Sequence, residues 1–512
     1  MHYLFENFYD LIRTQSQQRG RKTALFVGEE KISYRELYQK SDILAAFLAN
    51  NGVAKGDKVA LFMRNSAEFI YAILALSKLG AVSVPINTFL KASEVSYILE
   101  DSGATLLIGS MVHEKIINDQ AVQQHLKLTL WEGKSSHYTT RHVPFDHALT
   151  FPETVADAHA KMDDLAVIIY TSGTTGKPKG AMLSYRNIFS NAQGGINHLN
   201  IKPKDRFIVF LPMFHSFTFS IGVILPLYLG SSLVVIQSLK PFSNIFKQVL
   251  LKRVTIFLGI PDVYNALVKA KLPWYFMWFN RVRGFVSGAA ALQPKTLAGM
   301  QQKFKRAVLL EGYGLSEASP AVCINPLHLQ KPKSVGTAFS HYEIKVVDEK
   351  MVELPRGEVG DIIVKGDNIM MGYLNRPEAT AETIVNGWLL TGDMGYMDED
   401  DYLYIVDRKK DLIISKGINI YPRELEEVID SFQGVAASAV IGIPDKKSGE
   451  IPIAYIELEE GLERLDETAL KQHLRASLAN FKLPKKLHFI EELPKNATGK
   501  VLKRTLKTQL LK

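Results

Sequence analysis

The stretch YTSGTTGKPKG, residues 170–180, concentrates groups that bind anions. Backbone N–H groups freed by glycine, side-chain hydroxyls and lysine ammonium groups together wrap phosphate oxygens. The groups of this kind are Thr171, Ser172, Gly173, Thr174, Thr175, Gly176, Lys177 and Lys179. The sequence therefore predicts a phosphate-binding loop here.

This loop differs from the common P-loop of kinases and NTPases. That loop has four residues between its first glycine and a Gly-Lys-Ser/Thr run. Here two residues separate Gly173 from Gly176, and Pro178 follows Lys177 where a hydroxyl would contact Mg²⁺. A nucleotide-dependent kinase or NTPase is therefore the weaker alternative, and release of ADP or phosphate would identify it.

Composition excludes several other classes of protein. Cys323 is the only cysteine, so neither a disulfide framework nor a Cys-based metal cluster forms within the chain. The net charge is +8, and residues 485–512 hold eight basic and two acidic residues, so the rest of the chain is nearly neutral overall. We expect no nucleic-acid surface and no signal peptide, hence a cytoplasmic protein whose basic tail suits an anionic ligand.

Residues 207–239 are free of Asp, Glu, Lys and Arg, and are long enough to span a bilayer. Pro212, Gly222, Pro226 and Gly230 interrupt this stretch. We therefore predict a strand, a loop, a buried helix and a second strand, and a membrane protein or noncatalytic binder is the alternative.

The elements that must position these groups follow an α/β pattern. Short apolar runs alternate with amphipathic helices up to about residue 325, and Ser33 and Glu36 have the spacing of a helix capping box. Several apolar runs end in Gly-rich or polar turns, where open parallel sheets place ligands. We predict a large N-terminal domain of layered α/β sheets with a β-rich subdomain, residues 1–407, and a small mobile α+β domain, residues 408–512. The boundary is set at the charged DRKKD turn.

Six further motifs occur in order after the loop. They are VSGAAAL (286–292), EGYGLSEASP (311–320), GYLNRPEAT (372–380), GWLLTGD (387–393), DRKKDLIISKGINIYPRELE (407–426) and PKNATGKVLKR (494–504). Together with the loop, this series resembles the adenylate-forming, or AMP-binding, enzymes over about two thirds of the chain. The residues in these motifs are most similar to those of medium- and long-chain fatty acyl-CoA synthetases.

The resemblance implies a nucleotide site that binds ATP and Mg²⁺. It places Tyr313 against adenine, Glu317 on Mg²⁺, and Asp393 and Arg408 at the ribose or phosphate. Ser316 stands where relatives usually have Thr, and the hydroxyl is kept. The remaining residues implied at this site are Gly288, Ala289, Ala290, Glu311, Gly312 and Gly314.

The resemblance also implies the catalytic and acyl-binding groups. Lys500 would bridge the carboxylate and the α-phosphate, and His215 would gate the acyl site. Lys410 would be the hinge about which the C-terminal domain swings, bringing a turn to the coenzyme A side. That turn is Ser415, Lys416 and Gly417, and the acyl pocket is Phe214, Phe217, Phe219 and Gly222.

The predicted function is thus activation of a fatty acid to an acyl-adenylate, followed by transfer to coenzyme A. Transfer to an acyl carrier protein, arrest at the adenylate, and use of an aromatic or other acid are the open alternatives. Peripheral membrane contact through the basic tail and residues 274–279 is a further prediction. The sequence predicts neither the length of the acyl chain nor the oligomeric state.

Overall fold

A computed structural model describes residues 3–133, 141–171, 177–238, 242–288, 290–462, 464–496 and 499–510. The strands, in chain order, are β1 (Thr23–Val27), β2 (Glu30–Ser33), β3 (Lys58–Phe62), β4 (Val82–Pro85), β5 (Leu106–Ser110), β6 (Leu128–Glu132), β7 (His142–Pro144), β8 (Leu165–Thr171), β9 (Lys179–Ser184), β10 (Arg206–Val209), β11 (Ser232–Val235), β12 (Ile256–Gly259), β13 (Gly284–Ser287), β14 (Val308–Gly314), β15 (Ala321–Ile324), β16 (Thr337–Ala338), β17 (Glu343–Val347), β18 (Gly360–Lys365), β19 (Gly372–Tyr373), β20 (Ile384–Val385), β21 (Trp388–Met397), β22 (Leu403–Arg408), β23 (Ile413–Ser415), β24 (Ile418–Ile420), β25 (Val435–Asp445), β26 (Gly449–Leu458) and β27 (Lys486–Ile490).

The α-helices are α1 (Phe8–Arg19), α2 (Tyr34–Asn50), α3 (Ala67–Lys78), α4 (Ala92–Ser102), α5 (Glu114–Ile117), α6 (Gln120–Gln123), α7 (Phe145–Ala148), α8 (Tyr185–His198), α9 (Leu225–Leu229), α10 (Ser243–Leu251), α11 (Pro261–Lys269), α12 (Trp274–Phe279), α13 (Pro294–Lys303), α14 (Pro377–Thr383), α15 (Pro422–Asp430), α16 (Glu467–Ser477) and α17 (Lys503–Leu510). Short 3₁₀ helices occur at Met111–His113, Ser316–Ala318 and Lys409–Asp411, and a π-helix occurs at Thr218–Ile224.

Two large, mainly parallel sheets form the body of the large domain. One has the order β19-β9-β8-β4-β3-β5-β6-β7, and the other β16-β15-β14-β13-β12-β10-β11-β1-β2. Their central strands are buried along their whole length, as expected where helices cover both faces. The predicted α/β layering is confirmed.

A local signal in the sequence explains where α2 begins. Ser33 accepts a hydrogen bond from the backbone of Glu36, whose carboxylate accepts from the Ser33 N–H, so the predicted capping box is confirmed.

The apolar stretch from residue 207 forms β10, the π-helix, α9 and β11, as predicted except for the π-helical geometry. In the described part of the chain, no helix is long and apolar enough to cross a bilayer.

The β-rich part and the C-terminal part form separate sheets. Strands β17, β18, β21, β20 and β22 make an antiparallel sheet, and β23 to β27 make another that packs with α15, α16 and α17. Sheet membership changes between Arg408, the last residue of β22, and Ile413, the first of β23. The domain boundary at 407/408 stays a prediction close to this change.

Candidate functional site

The ends of β8 and β14 bring the two large sheets together. Thr171 ends β8, and its Oγ1 lies 3.5 Å from Oε1 of Glu317, which follows β14. The Tyr373 hydroxyl donates to the same oxygen at 2.8 Å. A single carboxylate beside hydroxyl groups suits Mg²⁺, which proteins hold through one or two carboxylates while phosphates and water complete its shell.

The predicted phosphate loop is only partly described. Ser172, Gly173, Thr174, Thr175 and Gly176 lie outside the described residues.

The two lysines that follow this loop lie on aromatic rings. The ammonium of Lys177 is 5.0 Å from the Tyr97 ring centre, and that of Lys179 is 5.0 Å from the Tyr373 ring centre. Both line one shallow cleft with Arg376. The cleft also contains Glu378 and Glu382, and Arg376 is paired with Asp101 at 2.9 Å. It is therefore the two lysines that suit a polyanionic ligand.

The turn after β14 requires glycine at Gly314. A Cβ there would lie 1.9 Å from the Pro320 carbonyl oxygen, so any side chain would clash with the backbone of the returning strand β15. Gly312 pairs with Ile324 in the same hairpin, which fixes the strand on which Tyr313 lies. The motif EGYG thus supplies the geometry of this turn as well as its chemistry.

Asp393 joins two of the predicted nucleotide residues. Its Oδ2 accepts a 2.6 Å hydrogen bond from the Tyr313 hydroxyl, and its Oδ1 lies 3.1 Å from Nε of Arg408. Burial, with the Asp393 carboxylate beside it, raises the pKa of Tyr313. These three residues, far apart in sequence, form one hydrogen-bonded group.

The SGAAAL segment follows β13 at the same edge of its sheet. A Cβ on Gly288 would lie 3.5 Å from the Phe217 ring, so the two residues are neighbours. Ala289 lies outside the described residues, and Ala290 is partly buried.

Glu311 is a buried carboxyl beside this segment. It accepts a 2.9 Å hydrogen bond from the Leu292 N–H. Burial raises the pKa of Glu311 to about 7.

The structure brings Lys500 to the group around Asp393. Burial, and then the charge of Arg408, lower the pKa of Lys500 to about 7, while Asp393 acts in the opposite direction. The loop adopts φ +77° at Gly499, where a Cβ would lie 3.1 Å from Ile260 of the large domain. The ammonium of Lys495 lies 3.4 Å from Asp262 in the same region. The C-terminal domain therefore docks with Lys500 beside the predicted nucleotide site.

His215 and the predicted acyl residues lie in two different surroundings. His215 is partly buried, and desolvation by its surroundings lowers its pKa to about 4. Phe214 packs near Phe89, and Phe217 contacts both large apolar clusters of the domain.

Phe219 and Gly222 lie deeper, within the π-helix. The Phe219 ring packs against Phe8 and Phe69 in the core, and a Cβ on Gly222 would lie 3.1 Å from Thr218. Their role in an acyl pocket stays a prediction.

The predicted hinge borders the group around Asp393, since burial and the charge of Arg408 lower the pKa of Lys410 while Asp411 and Asp393 act in the opposite direction. Lys410 is in the exposed 3₁₀ turn Lys409–Asp411 between the two sheets. Ser415 pairs with Gly449, and the Lys416 N–H donates to the Ser448 carbonyl at 2.7 Å, both within the C-terminal domain. Lys416 and Gly417 are exposed at positive φ, so the turn presents backbone to solvent.

Two contacts of the site were missed in the sequence analysis. The hydroxyls of Ser216 and Ser316 are 2.9 Å apart and join the predicted acyl segment to the EGYG turn. Lys503 pairs with Glu426 at 2.7 Å and ties the Lys500 segment to α15. Neither pair has a sequence signal, because its members lie 77 or more positions apart.

Comparison with known proteins agrees with this architecture. The profile of the AMP-binding enzyme family matches residues 12–374, and that of the AMP-binding enzyme C-terminal domain matches residues 424–500. A long-chain-fatty-acid–CoA ligase of Escherichia coli O6:H1 is 32% identical over 99% of this chain and 95% of its own length. A feruloyl-CoA synthase of an Amycolatopsis species is 34% identical over 94% of each chain.

A solved structure extends the likeness to three dimensions. The anthranilate CoA ligase AuaEII, in complex with anthranoyl-AMP, superposes with a TM-score of 0.91 at 28% identity, covering 99% of this chain and 98% of its own. Both domains and the sheet that carries Asp393 fall within this match. The chain therefore belongs to the AMP-binding enzyme family and is, by class, an AMP-forming acid–CoA ligase that uses ATP, Mg²⁺ and coenzyme A.

Proposed function

We propose that this enzyme activates a fatty acid to its acyl-adenylate and transfers the acyl group to coenzyme A. The apolar surroundings of Phe217 carry the proposal. This ring contacts two apolar clusters, and no Asp, Glu, Lys or Arg occurs between positions 207 and 239. A charged substrate group there would lack a partner and would be costly to bury, whereas an alkyl chain would be stabilised by burial.

In the proposed first step, a carboxylate oxygen attacks the α-phosphorus of ATP, and the bond to the bridging oxygen of pyrophosphate breaks. In the transition state, negative charge accumulates between the carboxylate and the α-phosphate, and the Lys500 ammonium would stabilise it. Lys177 and Lys179 would bind the outgoing phosphates. Mg²⁺ held by Glu317 would neutralise part of the phosphate charge.

In the proposed second step, the thiolate of coenzyme A attacks the acyl carbon, and AMP leaves with both electrons of the acyl–oxygen bond. Lys500 in the adenylation site would obstruct the incoming thiol. We therefore propose that the C-terminal domain rotates about Lys410 and presents Ser415–Gly417 to the pantetheine arm. An acyl carrier protein is the alternative acceptor.

An aromatic acid is the second candidate substrate. The 34% sequence identity of this chain to a feruloyl-CoA synthase, and its structural similarity to an anthranilate CoA ligase, favour this candidate. Phe214 and Phe217 provide ring surfaces of the kind that stack on aromatic groups.

The deciding experiment measures pyrophosphate release with fatty acids from C4 to C18, ferulate and anthranilate, each with and without coenzyme A. An optimum among the fatty acids, with turnover that depends on coenzyme A, supports the proposal. A higher kcat/KM with ferulate or anthranilate would overturn the fatty-acid assignment and leave the ligase class intact. Adenylate formation without coenzyme A turnover would point to a carrier protein.

A further inference from the structure

The positive charge of the chain is concentrated in one segment of the large domain. Residues 206–310 contain thirteen lysines and arginines and a single acidic residue, Asp262, whereas the whole chain has 61 basic and 53 acidic residues. Asp262 is already engaged by Lys495 of the C-terminal domain. The net charge of +8 for the whole chain therefore understates how basic this segment is.

Within this segment, the short helix α12 exposes most of its aromatic side chains. Its sequence is WYFMWF, and Trp274, Trp278 and Phe279 are 72%, 68% and 68% exposed. Tyr275 is also exposed, and Phe276 alone is buried. Soluble monomers rarely expose contiguous apolar patches of this kind without a binding role.

The exposed helix is held firmly by the domain. The Phe276 ring packs edge-on against Phe246 of α10 at 5.4 Å and belongs to the apolar cluster beneath the sheet. The Asn280 side chain donates to the Phe276 carbonyl at 2.8 Å and closes the helix end. The exposed aromatic surface is therefore part of the folded domain and does not result from fraying of the helix.

Basic side chains surround the aromatic helix. Arg306 donates to the Trp278 carbonyl at 3.2 Å, and its guanidinium lies 6.0 Å from the Trp278 ring centre. Lys269 and Lys271 precede α12, Arg281 follows it, and all three are exposed.

Two carboxylates from outside residues 206–310 pair with other basic residues of this segment. Glu29 pairs with Lys252, and Asp205 pairs with Arg283. Among the residues that the structure describes, the four cations next to α12 take part in no ion pair. Their charge is therefore available to an anionic partner.

We propose that α12 and its basic surround dock this enzyme onto anionic lipid bilayers. Tryptophan and tyrosine rings favour the headgroup region of a bilayer, and short helices with such a face lie in that plane. Lysine and arginine near the surface add attraction to anionic headgroups. The docking does not depend on which acid the enzyme activates.

The first test compares sedimentation with vesicles of phosphatidylcholine alone and with vesicles containing 30% phosphatidylglycerol. We expect the full-length enzyme to bind only the anionic vesicles, and 0.5 M NaCl to weaken this binding. Trp274→Ser combined with Trp278→Ser should lower the affinity at least about tenfold. The control is Leu329→Ser, which removes an exposed apolar side chain, 73% accessible, outside this segment.

The second test changes charge without changing aromatic content. Lys271→Gln combined with Arg281→Gln should lower the affinity about 25-fold, since each basic residue near an anionic surface contributes about fivefold. The control pair is Lys115→Gln with Lys350→Gln, two exposed lysines outside the segment. Pyrophosphate release in the absence of vesicles should be unchanged in all four variants, which shows that they are folded.

Quenching of tryptophan fluorescence by brominated phosphatidylglycerol identifies the residues at the bilayer. We expect quenching in the wild-type enzyme and its loss in a Trp274→Phe, Trp278→Phe variant that still sediments with vesicles. Equal binding to neutral and anionic vesicles, or binding retained in both the serine and glutamine variants, would overturn the proposal. A dimer in light scattering that the serine variant abolishes would also overturn it, because the face would then be an interface between two copies.

Discussion

Lys500 illustrates how strongly position alters the chemistry of a single residue. It is one of eight basic residues in the C-terminal stretch 485–512, yet burial and Arg408 bring its pKa to about 7. Anions arriving between Lys500 and Arg408 would relieve this cation–cation repulsion. The ligand-free site therefore disfavours a positive charge that the proposed reaction requires.

Lys500→Ala should separate the two half-reactions. Adenylate formation, followed as pyrophosphate release, should fall about 100- to 1,000-fold, since a preorganised charge at the transition state is lost. Transfer to coenzyme A from a supplied acyl-adenylate should be nearly unchanged. Lys485→Ala is the control, because it removes an exposed lysine of the same domain. Equal loss of both half-reactions would contradict the assigned role.

The lowered pKa of His215 leads to a prediction about the stability of the protein in acid. Its folded-state pKa of about 4 lies below the ordinary value of 6.5, so the unfolded chain binds more protons between these values. The stability that neutral His215 contributes is complete above pH 6.5 and is lost as the pH falls towards 4.

The measurement is Tm as a function of pH from 4 to 7. In His215→Phe the decline of Tm below pH 6.5 should be shallower than in the wild type. His159→Asn is the control, because the His159 side chain is 77% exposed. An identical pH dependence in His215→Phe and the wild type would contradict this account of the burial.

At the scale of elements, α15 and α17 are joined by a largely buried ion pair, Lys503 with Glu426, whose side chains are 17% and 18% exposed. Burial acts to lower the pKa of Lys503, but Glu426 and Asp407 raise it, so the ammonium stays charged. Glu426 also accepts a 2.7 Å hydrogen bond from the Val440 N–H, which connects the pair to β25. This link holds the segment that begins at Lys500 against the body of the C-terminal domain.

Lys503→Met should lower the free energy of unfolding of the C-terminal domain by about 2 kcal/mol, because it leaves Glu426 without its partner. Lys503→Met combined with Glu426→Met should restore part of this loss, since Glu426 is no longer left unpaired, whereas buried Asp407 still lacks its positive neighbour. Urea unfolding of both variants and of Lys503→Arg, which retains the charge, makes the comparison. A double variant less stable than the single one would contradict the ion-pair account.

At the scale of the whole molecule, α13 of the large domain contacts α15 of the small one. Gln293 donates to the Asp430 carboxylate at 2.7 Å, and the Lys295 ammonium donates to the Asp430 and Val435 carbonyls at 3.1 and 3.2 Å. These contacts hold the two domains in the arrangement that brings Lys500 to Asp393. The proposed rotation about Lys410 would have to break them.

Gln293→Cys combined with Asp430→Cys, joined by a short bismaleimide, should therefore trap this arrangement. One turnover of pyrophosphate release should survive the crosslink, while transfer to coenzyme A should be lost. The native Cys323 is buried, so background labelling is low. Both single-cysteine variants, treated alike, are the controls, and normal transfer in the crosslinked enzyme would rule out the rotation.

Sequence alone was sufficient for what depends on local order and residue type. The alternation of strands and helices, the capping box at Ser33 and the ordered motifs predicted the fold and the enzyme class. Each of these features lies within a short stretch of chain, where propensity and spacing determine the outcome.

The tertiary structure alone decided which distant residues meet and which side chains reach solvent. The contact of Ser216 with Ser316, the pairing of Lys503 with Glu426 and the core position of Phe219 all depend on packing between separate elements. The sequence predicts membrane contact through the apolar run of α12, but only the structure shows that most of its aromatic side chains are exposed. The same residue types serve a core, a ligand site or a surface, and burial and neighbouring charges, which exist only after folding, determine which role each one takes.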